Sequence, residues 1–171
     1  LPQHGVAVMT EGYTTLLGLV SHEYFHAWNV KRLKPAELAR IDYARENATP
    51  LLWFFEGFTS YYDDLMLKRA GLVGDNRYLG LVAKQINMLR AAPGRKVQSV
   101  AQASFDAWTK YYRADENTPN LTVSYYVKGA LVALAAAKRR VLQVGHLPRF
   151  LLERLKIHER VFRPLCVEAL R

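Results

Sequence analysis

Hydrophobic side chains recur along this chain at intervals of three and four residues, which is the pattern of helices with one face turned towards a core. Proline and glycine fall between the apolar runs and divide the pattern into separate segments. The pattern predicts a mainly α-helical domain with helices over residues 14–30, 51–70, 75–90 and 122–138. The stretches 36–49 and 95–120 are predicted to be connecting segments, the first with a short helical piece and the second rich in loops.

The limits of the first two helices follow from local chemistry. Thr14 or Thr15 offers a hydroxyl to cap the first helix, which is expected to run to about Val30. Pro35 lies beyond that end, and Thr49-Pro50 is a favourable start for the second helix because proline suits the first helical turn.

The chain has 171 residues, half of them hydrophobic, so it can form one domain, or one large piece of a domain, with a sizeable core. The single cysteine, Cys166, excludes an internal disulfide and a cysteine metal cluster. No run of about eighteen apolar residues is present, so we expect a soluble globular protein without stable membrane insertion. The chain starts at Leu1-Pro2 with no secretory pattern, which suggests a fragment or a processed chain and leaves cytoplasm and periplasm open.

The net charge of +9 is concentrated near the carboxyl-terminal end. Residues 138–171 hold nine basic and three acidic side chains. Residues 1–137 hold 15 basic and 12 acidic side chains, so their charges nearly balance. We therefore expect a domain over residues 1–137 and a basic tail over residues 138–171, with a short helix at 150–158. Nucleic acid or a membrane surface is one class of partner for such a tail, but its basic residues lack interleaved aromatic side chains. The preferred interpretation is a solvated tail with no nucleic-acid partner, in which His146 and His158 are ordinary surface histidines.

The first predicted helix carries a candidate metal site. His22 and His26 are four residues apart, so their imidazoles lie one turn apart on the same face. Two such imidazoles can bind one Zn²⁺, and Glu23 is placed to accept a proton from a water that attacks a carbonyl. An exposed polar turn is the alternative, but the apolar neighbours predict a helix buried on most sides, where ionisable groups need a metal or partners. These neighbours are Leu16, Leu17, Leu19, Val20, Tyr24, Phe25 and Trp28.

The second predicted helix carries one carboxylate, Glu56, after five apolar residues and before Gly57. A surface glutamate is the ordinary interpretation, yet the upstream His-Glu-x-x-His motif favours Glu56 as a third zinc ligand. Asp63 falls near the same face as Glu56 and is a candidate hydrogen-bond partner for a ligand histidine. For Asp63 itself, a surface aspartate is the preferred interpretation.

These two helices, with segments further along, resemble the glycyl aminopeptidase family of gluzincin (thermolysin-like) zinc metallopeptidases, whose members usually also carry a PDZ domain. The resemblance covers roughly residues 11–135. It is carried by Leu16 to Arg32, Leu52 to Gly71, Ser104-Phe105-Asp106-Ala107-Trp108, Tyr111-Tyr112 and Ser124-Tyr125-Tyr126-Val127-Lys128-Gly129-Ala130-Leu131.

The resemblance implies that the chain is the helical lobe of the catalytic domain, with a mixed lobe upstream and the zinc between the two. It implies that His22, His26 and Glu56 bind one catalytic Zn²⁺ and that Glu23 is the base that activates a water. The implied activity is aminopeptidase-like hydrolysis of peptide substrates.

The resemblance also assigns a role to Tyr126, in its Tyr-x-Lys-Gly pattern, as a hydrogen-bond donor to the tetrahedral oxyanion. A buried core tyrosine is the alternative interpretation of this residue. The adjacent Tyr125 is easily mistaken for it, because both tyrosines precede the same Lys-Gly pair.

Two features depart from the family. Relatives carry a Gly-Gly-x-Glu-His-type segment near the substrate amine before the first helix, and this sequence lacks that segment, the substrate lobe and the PDZ domain. Exopeptidase and endopeptidase character therefore both stay open. The resemblance fades near Ala135, and an out-of-frame or altered ending from about residue 136 is one hypothesis for the basic tail. The alternative function is a truncated fragment that binds zinc but is catalytically inactive.

Overall fold

The computed structural model describes residues 10–144, with side chains described through Lys138. In that range the chain is helical and forms no β-strand, which confirms the predicted mainly α fold. The helices are α1 (Glu11–Phe25), α2 (Leu52–Arg69), α3 (Asp75–Ala91), α4 (Val100–Phe105), α5 (Thr118–Leu121) and α6 (Tyr125–Val144). None of the helices in the described part is both long and apolar enough to cross a bilayer. The predicted helix at 150–158, His146 and His158 lie outside the described residues.

Helix α2 lies at the centre of the fold, since it packs against both α6 and α1. Its crossing with α6 is close because two glycines face each other there. A Cβ atom on Gly57 would overlap the backbone of Gly129, and a Cβ atom on Gly129 would overlap the backbone of Trp53. With no side chain at either position the two backbones meet directly. This crossing sets the position of Glu56, the residue before Gly57.

The main core lies between α3, α4, α6 and the start of α2. The buried residues that form it are Ile86, Leu89, Ala103, Ala107, Val123, Tyr125 and Leu131. The first turn of α2 is tied to α4, because the Ser104 hydroxyl accepts a hydrogen bond from the Trp53 amide at 2.9 Å and donates one to the Val100 carbonyl at 2.8 Å. A free amide of the first helical turn is thereby satisfied inside the core, and α2 is held from both sides.

Helix α1 begins and ends earlier than the sequence pattern predicted. The cap is Thr10, whose hydroxyl accepts a hydrogen bond from the Tyr13 amide at 3.2 Å. The predicted cap Thr14 is instead buried inside the helix, where its hydroxyl donates to the Thr10 carbonyl. The helix ends at Phe25, and the chain then turns through Val30, whose φ of 145° is incompatible with a helix.

The prediction that α1 is buried on most sides is wrong. Its packed face contacts α2, where Phe25 stacks on Tyr62 with ring centroids 4.9 Å apart. The opposite face leaves large apolar side chains exposed, with Tyr24 at 69%, Val20 at 58% and Leu19 at 55%. Hydrophobic periodicity shows that a helix face is apolar, but it does not show whether the same lobe covers that face.

The predicted loop-rich segment 95–120 contains short helical pieces. Helix α4 begins at a capping box, in which the Ser99 hydroxyl accepts from the Gln102 amide and the Gln102 side chain accepts from the Ser99 amide. Short 3₁₀ turns cover Ala36–Leu38 and Pro93–Lys96, and a π-helical turn covers Ala107–Tyr111. Trp108 and Tyr112 line an open cleft of about 570 Å³.

Candidate metal centre

Two histidines one turn apart on α1 and a glutamate on α2 face one another across the helix pair. The rings of His22 and His26 lie edge to face with centroids 4.7 Å apart. The Oε2 atom of Glu56 lies 3.2 Å from Nε2 of His22 and 3.3 Å from Nε2 of His26. One potential ligand atom from each residue lies within 4.8 Å of the other two. The packing of α1 on α2 therefore brings the three predicted ligands together.

The orientation of the two imidazoles suits a zinc ion. Nδ1 of His22 contacts Oδ2 of Asp63 at 3.0 Å, and Nδ1 of His26 contacts the backbone carbonyl of Asn29 at 2.9 Å. Both acceptors favour a proton on Nδ1, so in the neutral form that binds a metal the lone pair would be on Nε2, the nitrogen that faces Glu56. Two imidazole nitrogens and one carboxylate oxygen form a donor set of catalytic zinc sites, in which a further position stays open. The residues present therefore fit the metal.

The charge balance of the site also favours a cation. Burial acts to lower the pKa of His22, but hydrogen bonds to Asp63 and Glu56 and the charges of these carboxylates outweigh it and raise the pKa to about 9. Burial raises the pKa of Asp63, and the hydrogen bond with His22 offsets part of that effect. In the metal-free site, positive charge on His22 thus balances the carboxylates around it. A divalent cation would take the place of that proton, because a ligand histidine binds metal in its neutral form.

Glu23, the predicted base, follows His22 on α1 and its side chain is exposed. Successive residues of a helix point about 100° apart, so Glu23 points away from the interface between α1 and α2. Its carboxylate is accessible to water. The structure therefore brings His22, His26 and Glu56 together and leaves Glu23, the residue after His22, exposed to solvent.

Tyr126 of α6 lies beside the histidines, with its ring centroid 6.3 Å from that of His22. Its hydroxyl is 3.3 Å from the Tyr112 hydroxyl, which in turn is 3.2 Å from the Tyr125 hydroxyl. Burial, the hydrogen bond with Tyr112 and the charge of Glu56 all raise the pKa of Tyr126, so its hydroxyl stays protonated. Tyr125 is 1% exposed and belongs to the core, so the two adjacent tyrosines have different surroundings.

The preferred interpretation of Asp63 as a surface residue is wrong. Its side chain is 14% exposed and contacts His22, and its backbone carbonyl accepts a hydrogen bond from the Ser21 hydroxyl at 3.1 Å. The signal for this role is its spacing, because seven residues from Glu56 is two helical turns and keeps both carboxylates near one face.

Two further residues of the site were not predicted. Asn29 lies in the turn after α1, and Tyr112 follows the π-helical turn Ala107–Tyr111. Tyr112 has no spacing in the sequence that relates it to the histidines, and Asn29, three residues after His26, lies beyond the end of α1. Their positions follow from irregular backbone, which hydrophobic periodicity does not report.

Comparisons with known proteins find similarity both in sequence and in fold. Residues 15–132 match the model of the M61 glycyl aminopeptidase family. The fold is also similar to a crystal structure of an aminopeptidase N family protein from Idiomarina loihiensis, with a TM-score of 0.80 and 40% sequence identity. That match covers 98% of this chain and 27% of the other, so this chain spans about a quarter of the length of that protein. Among curated proteins, none is significantly similar in sequence.

Proposed function

The chain belongs to the M61 glycyl aminopeptidase family, and from that premise we propose that it is the helical, zinc-binding lobe of an aminopeptidase-like metallopeptidase. The observation that carries the proposal is the convergence of His22, His26 and Glu56 from two helices on one point. The family supports hydrolysis of peptides as the reaction class. The identity of the metal and the roles of the individual residues are our inference from the donor set.

In the proposed mechanism, His22, His26 and Glu56 would hold one Zn²⁺ through the two imidazoles and the carboxylate. When bound, zinc supplies Lewis-acid activation of a water molecule and of the scissile carbonyl. Glu23 accepts the proton of the attacking water and passes it to the leaving amine. Asp63 holds the Nδ1 proton of His22 and thereby keeps that ring in the orientation that a metal needs.

Tyr126 completes the proposed mechanism as a neutral hydrogen-bond donor. Its ring lies beside that of His22, and its protonated hydroxyl can stabilise negative charge that develops on the carbonyl oxygen. The contact with Tyr112 fixes the position of this hydroxyl before the substrate arrives. A donor that is already in place costs no rearrangement during the reaction.

Substrate recognition is proposed to need more than this chain. The chain spans 27% of the structurally similar protein, and the exposed apolar face of α1 offers a surface for a further lobe. For the same reason the alternative function is a fragment that binds zinc without turnover. Zinc binding and hydrolysis are therefore tested separately.

The first test is the zinc content of the purified chain beside that of Glu56→Ala. We expect about one zinc per chain in the parent and a clear loss in the variant, because two imidazoles alone hold the ion weakly. Glu46→Gln, at an exposed position, is the matched control and should retain zinc. A folded parent that binds no zinc would contradict the proposed metal centre.

The second test separates zinc binding from catalysis. Glu23→Gln should retain zinc and lose peptide hydrolysis, because the amide cannot accept the proton of water. The measurement is turnover of aminoacyl and peptide substrates together with metal content. If the parent binds zinc but hydrolyses nothing, the chain is the inactive zinc-binding fragment; turnover retained by Glu23→Gln would remove Glu23 from the mechanism.

The third test concerns Tyr126. Tyr126→Phe should lower kcat by roughly 10²–10³ if its hydroxyl stabilises the oxyanion, with little change in zinc content. Tyr125→Phe is the matched control. It also removes a hydroxyl that contacts the Tyr112 hydroxyl, but this hydroxyl belongs to a tyrosine of the core. An equal loss in both variants would indicate that packing, rather than donation by Tyr126, explains the effect.

A further inference from the structure

Asn29 contacts both segments that carry the candidate ligands. It lies three residues after His26, and only 6% of it is exposed. Its backbone carbonyl accepts the hydrogen bond from Nδ1 of His26 at 2.9 Å. Its side-chain amide donates to the Phe55 carbonyl at 2.9 Å and to the Thr59 hydroxyl at 3.1 Å. One residue thus joins His26 to the residue that precedes Glu56.

Thr59 holds the amide of Asn29 from the side of α2. Thr59 is fully buried, and its hydroxyl donates to the same Phe55 carbonyl that accepts from Asn29. The two donors and two acceptors form a closed group away from water. Loss of one member would leave a buried polar partner unsatisfied, which makes the arrangement well defined.

The backbone next to Asn29 is strained. Val30 has a φ of 145°, a conformation that a β-branched side chain rarely adopts. Such a conformation persists only where surrounding contacts impose it. Here the Asn29 amide bonds to the Phe25 carbonyl at 3.1 Å and the Val30 amide to the Trp28 carbonyl at 3.1 Å. The turn is held in this shape at the point where the Asn29 carbonyl faces His26.

We propose that Asn29, anchored by Thr59, is a positioning residue of the metal centre. It keeps His26 in the tautomer that carries the proton on Nδ1 and directs Nε2 at Glu56. The inference rests on the proposed zinc site and adds a residue outside the three ligands and Glu23. The Nδ1 atoms of the two histidines have different partners. Nδ1 of His22 contacts the carboxylate of Asp63, whereas Nδ1 of His26 contacts the backbone carbonyl of the buried Asn29.

A pair of substitutions at Thr59 tests the proposal without altering any group that would touch the metal. Thr59→Val keeps the shape and removes the hydroxyl, whereas Thr59→Ser keeps the hydroxyl and removes a methyl group. The measurement is the zinc dissociation constant of the purified chain by competition with a chelator. We expect Thr59→Val to bind zinc about 10–100-fold more weakly and Thr59→Ser to bind within about twofold of the parent. If Thr59 acted only through packing, Thr59→Ser, which loses the methyl group, should bind zinc more weakly than Thr59→Val.

Asn29→Ala removes the anchoring amide itself and should weaken zinc binding at least as much as Thr59→Val. A core variant, Leu131→Ala, controls for loss of stability and should leave the zinc dissociation constant unchanged. Zinc affinity of Thr59→Val equal to that of the parent, or a greater loss in Thr59→Ser, would overturn the proposal. A loss of zinc affinity in Leu131→Ala equal to that in Thr59→Val would also overturn it.

The ring-nitrogen resonances of selectively labelled His26 in the metal-free chain give a second readout. We expect a proton on Nδ1 in the parent and in Thr59→Ser, and a mixture of tautomers in Thr59→Val. A His26 ring without a proton on Nδ1 in the parent would overturn the proposal directly. If the parent shows the expected tautomer yet binds no zinc, the metal centre fails while the positioning of His26 by Asn29 is sustained.

Discussion

At the scale of single residues, the adjacent carboxylates of Asp63 and Asp64 have different environments. Asp63 contacts His22, whereas Oδ2 of Asp64 lies 3.5 Å from the side-chain amide of Gln85. Burial, followed by the charge of Asp63, raises the pKa of Asp64 to about 7. A neutral amide does little to stabilise a buried charge, so the ionised form of Asp64 is disfavoured in the folded chain.

Asp64→Asn should therefore stabilise the metal-free chain at pH 8 and have little effect at pH 4. Because the pKa of about 7 in the folded chain exceeds the ordinary aspartate pKa of 3.8, the contribution of Asp64 to stability is present below about pH 4 and is lost as the pH rises through 7. The gain at pH 8 should be roughly 2–4 kcal/mol. Urea unfolding in the presence of a chelator measures it. Glu46→Gln serves as the exposed control, and an equal effect of Asp64→Asn at both pH values would contradict the prediction.

At the scale of helices, the geometry of the site depends on the contact between α2 and α6. Gly57 and Gly129 allow the two backbones to touch, and Glu56 and Tyr126 lie within one turn of that contact on their respective helices. A wider crossing would move the ligand on α2 away from the tyrosine on α6. The glycine pair thus serves the site as well as the core.

Gly129→Ala should destabilise the chain by roughly 1–3 kcal/mol or more, since the added methyl group meets backbone rather than a flexible side chain. It should also weaken zinc binding, because α2 has to shift to make room.

Gly80→Ala is the matched control. Gly80 is exposed in α3 with open space around it, and alanine there should stabilise the chain by about 0.5–1 kcal/mol. Thermal unfolding and the zinc dissociation constant measure both effects. Equal stability of Gly129→Ala and parent would show that the crossing is less tight than described.

At the scale of the whole molecule, the exposed face of α1 departs from an ordinary polar surface. Tyr13, Leu16, Val20 and Tyr24 follow one another at intervals of three and four residues, and each is at least half exposed. A continuous apolar stripe of this kind indicates an interaction surface. Because Glu23 borders the same stripe, we propose that the surface meets a further lobe of a longer protein next to the proposed base.

In the purified chain no further lobe covers this apolar stripe, so the chain should self-associate. The double variant Leu16→Glu with Val20→Glu should reduce association and retain zinc, because both side chains point away from the metal ligands and glutamate is a good helix former. Sedimentation across a concentration series, together with zinc content, measures the outcome. Met88→Glu, at an isolated exposed position on α3, should leave association unchanged. A parent that stays monomeric at all concentrations would contradict the prediction.

The sequence by itself determined the four long helices, α1, α2, α3 and α6, and indicated the three candidate ligands. The spacing of His22 and His26 places both on one face by helix geometry alone, and the His-Glu-x-x-His motif upstream favours Glu56 of the second apolar helix as the third ligand. The helices and the spacing of the histidines are local features, since they depend on residues within about two helical turns of each other.

Tertiary structure decided the rest. Asp63 contacts His22 across 41 positions of sequence, and Asn29 reaches Phe55 and Thr59 across 26 and 30. The exposure of α1 is likewise set by what packs against it, and not by its own pattern. Contacts of this kind form when two helices dock, and their partners depend on helix rotation and on irregular turns such as the one at Val30. The physical reason is that a local pattern fixes which way a side chain points along its own helix, while the position of the neighbouring helix fixes what it meets.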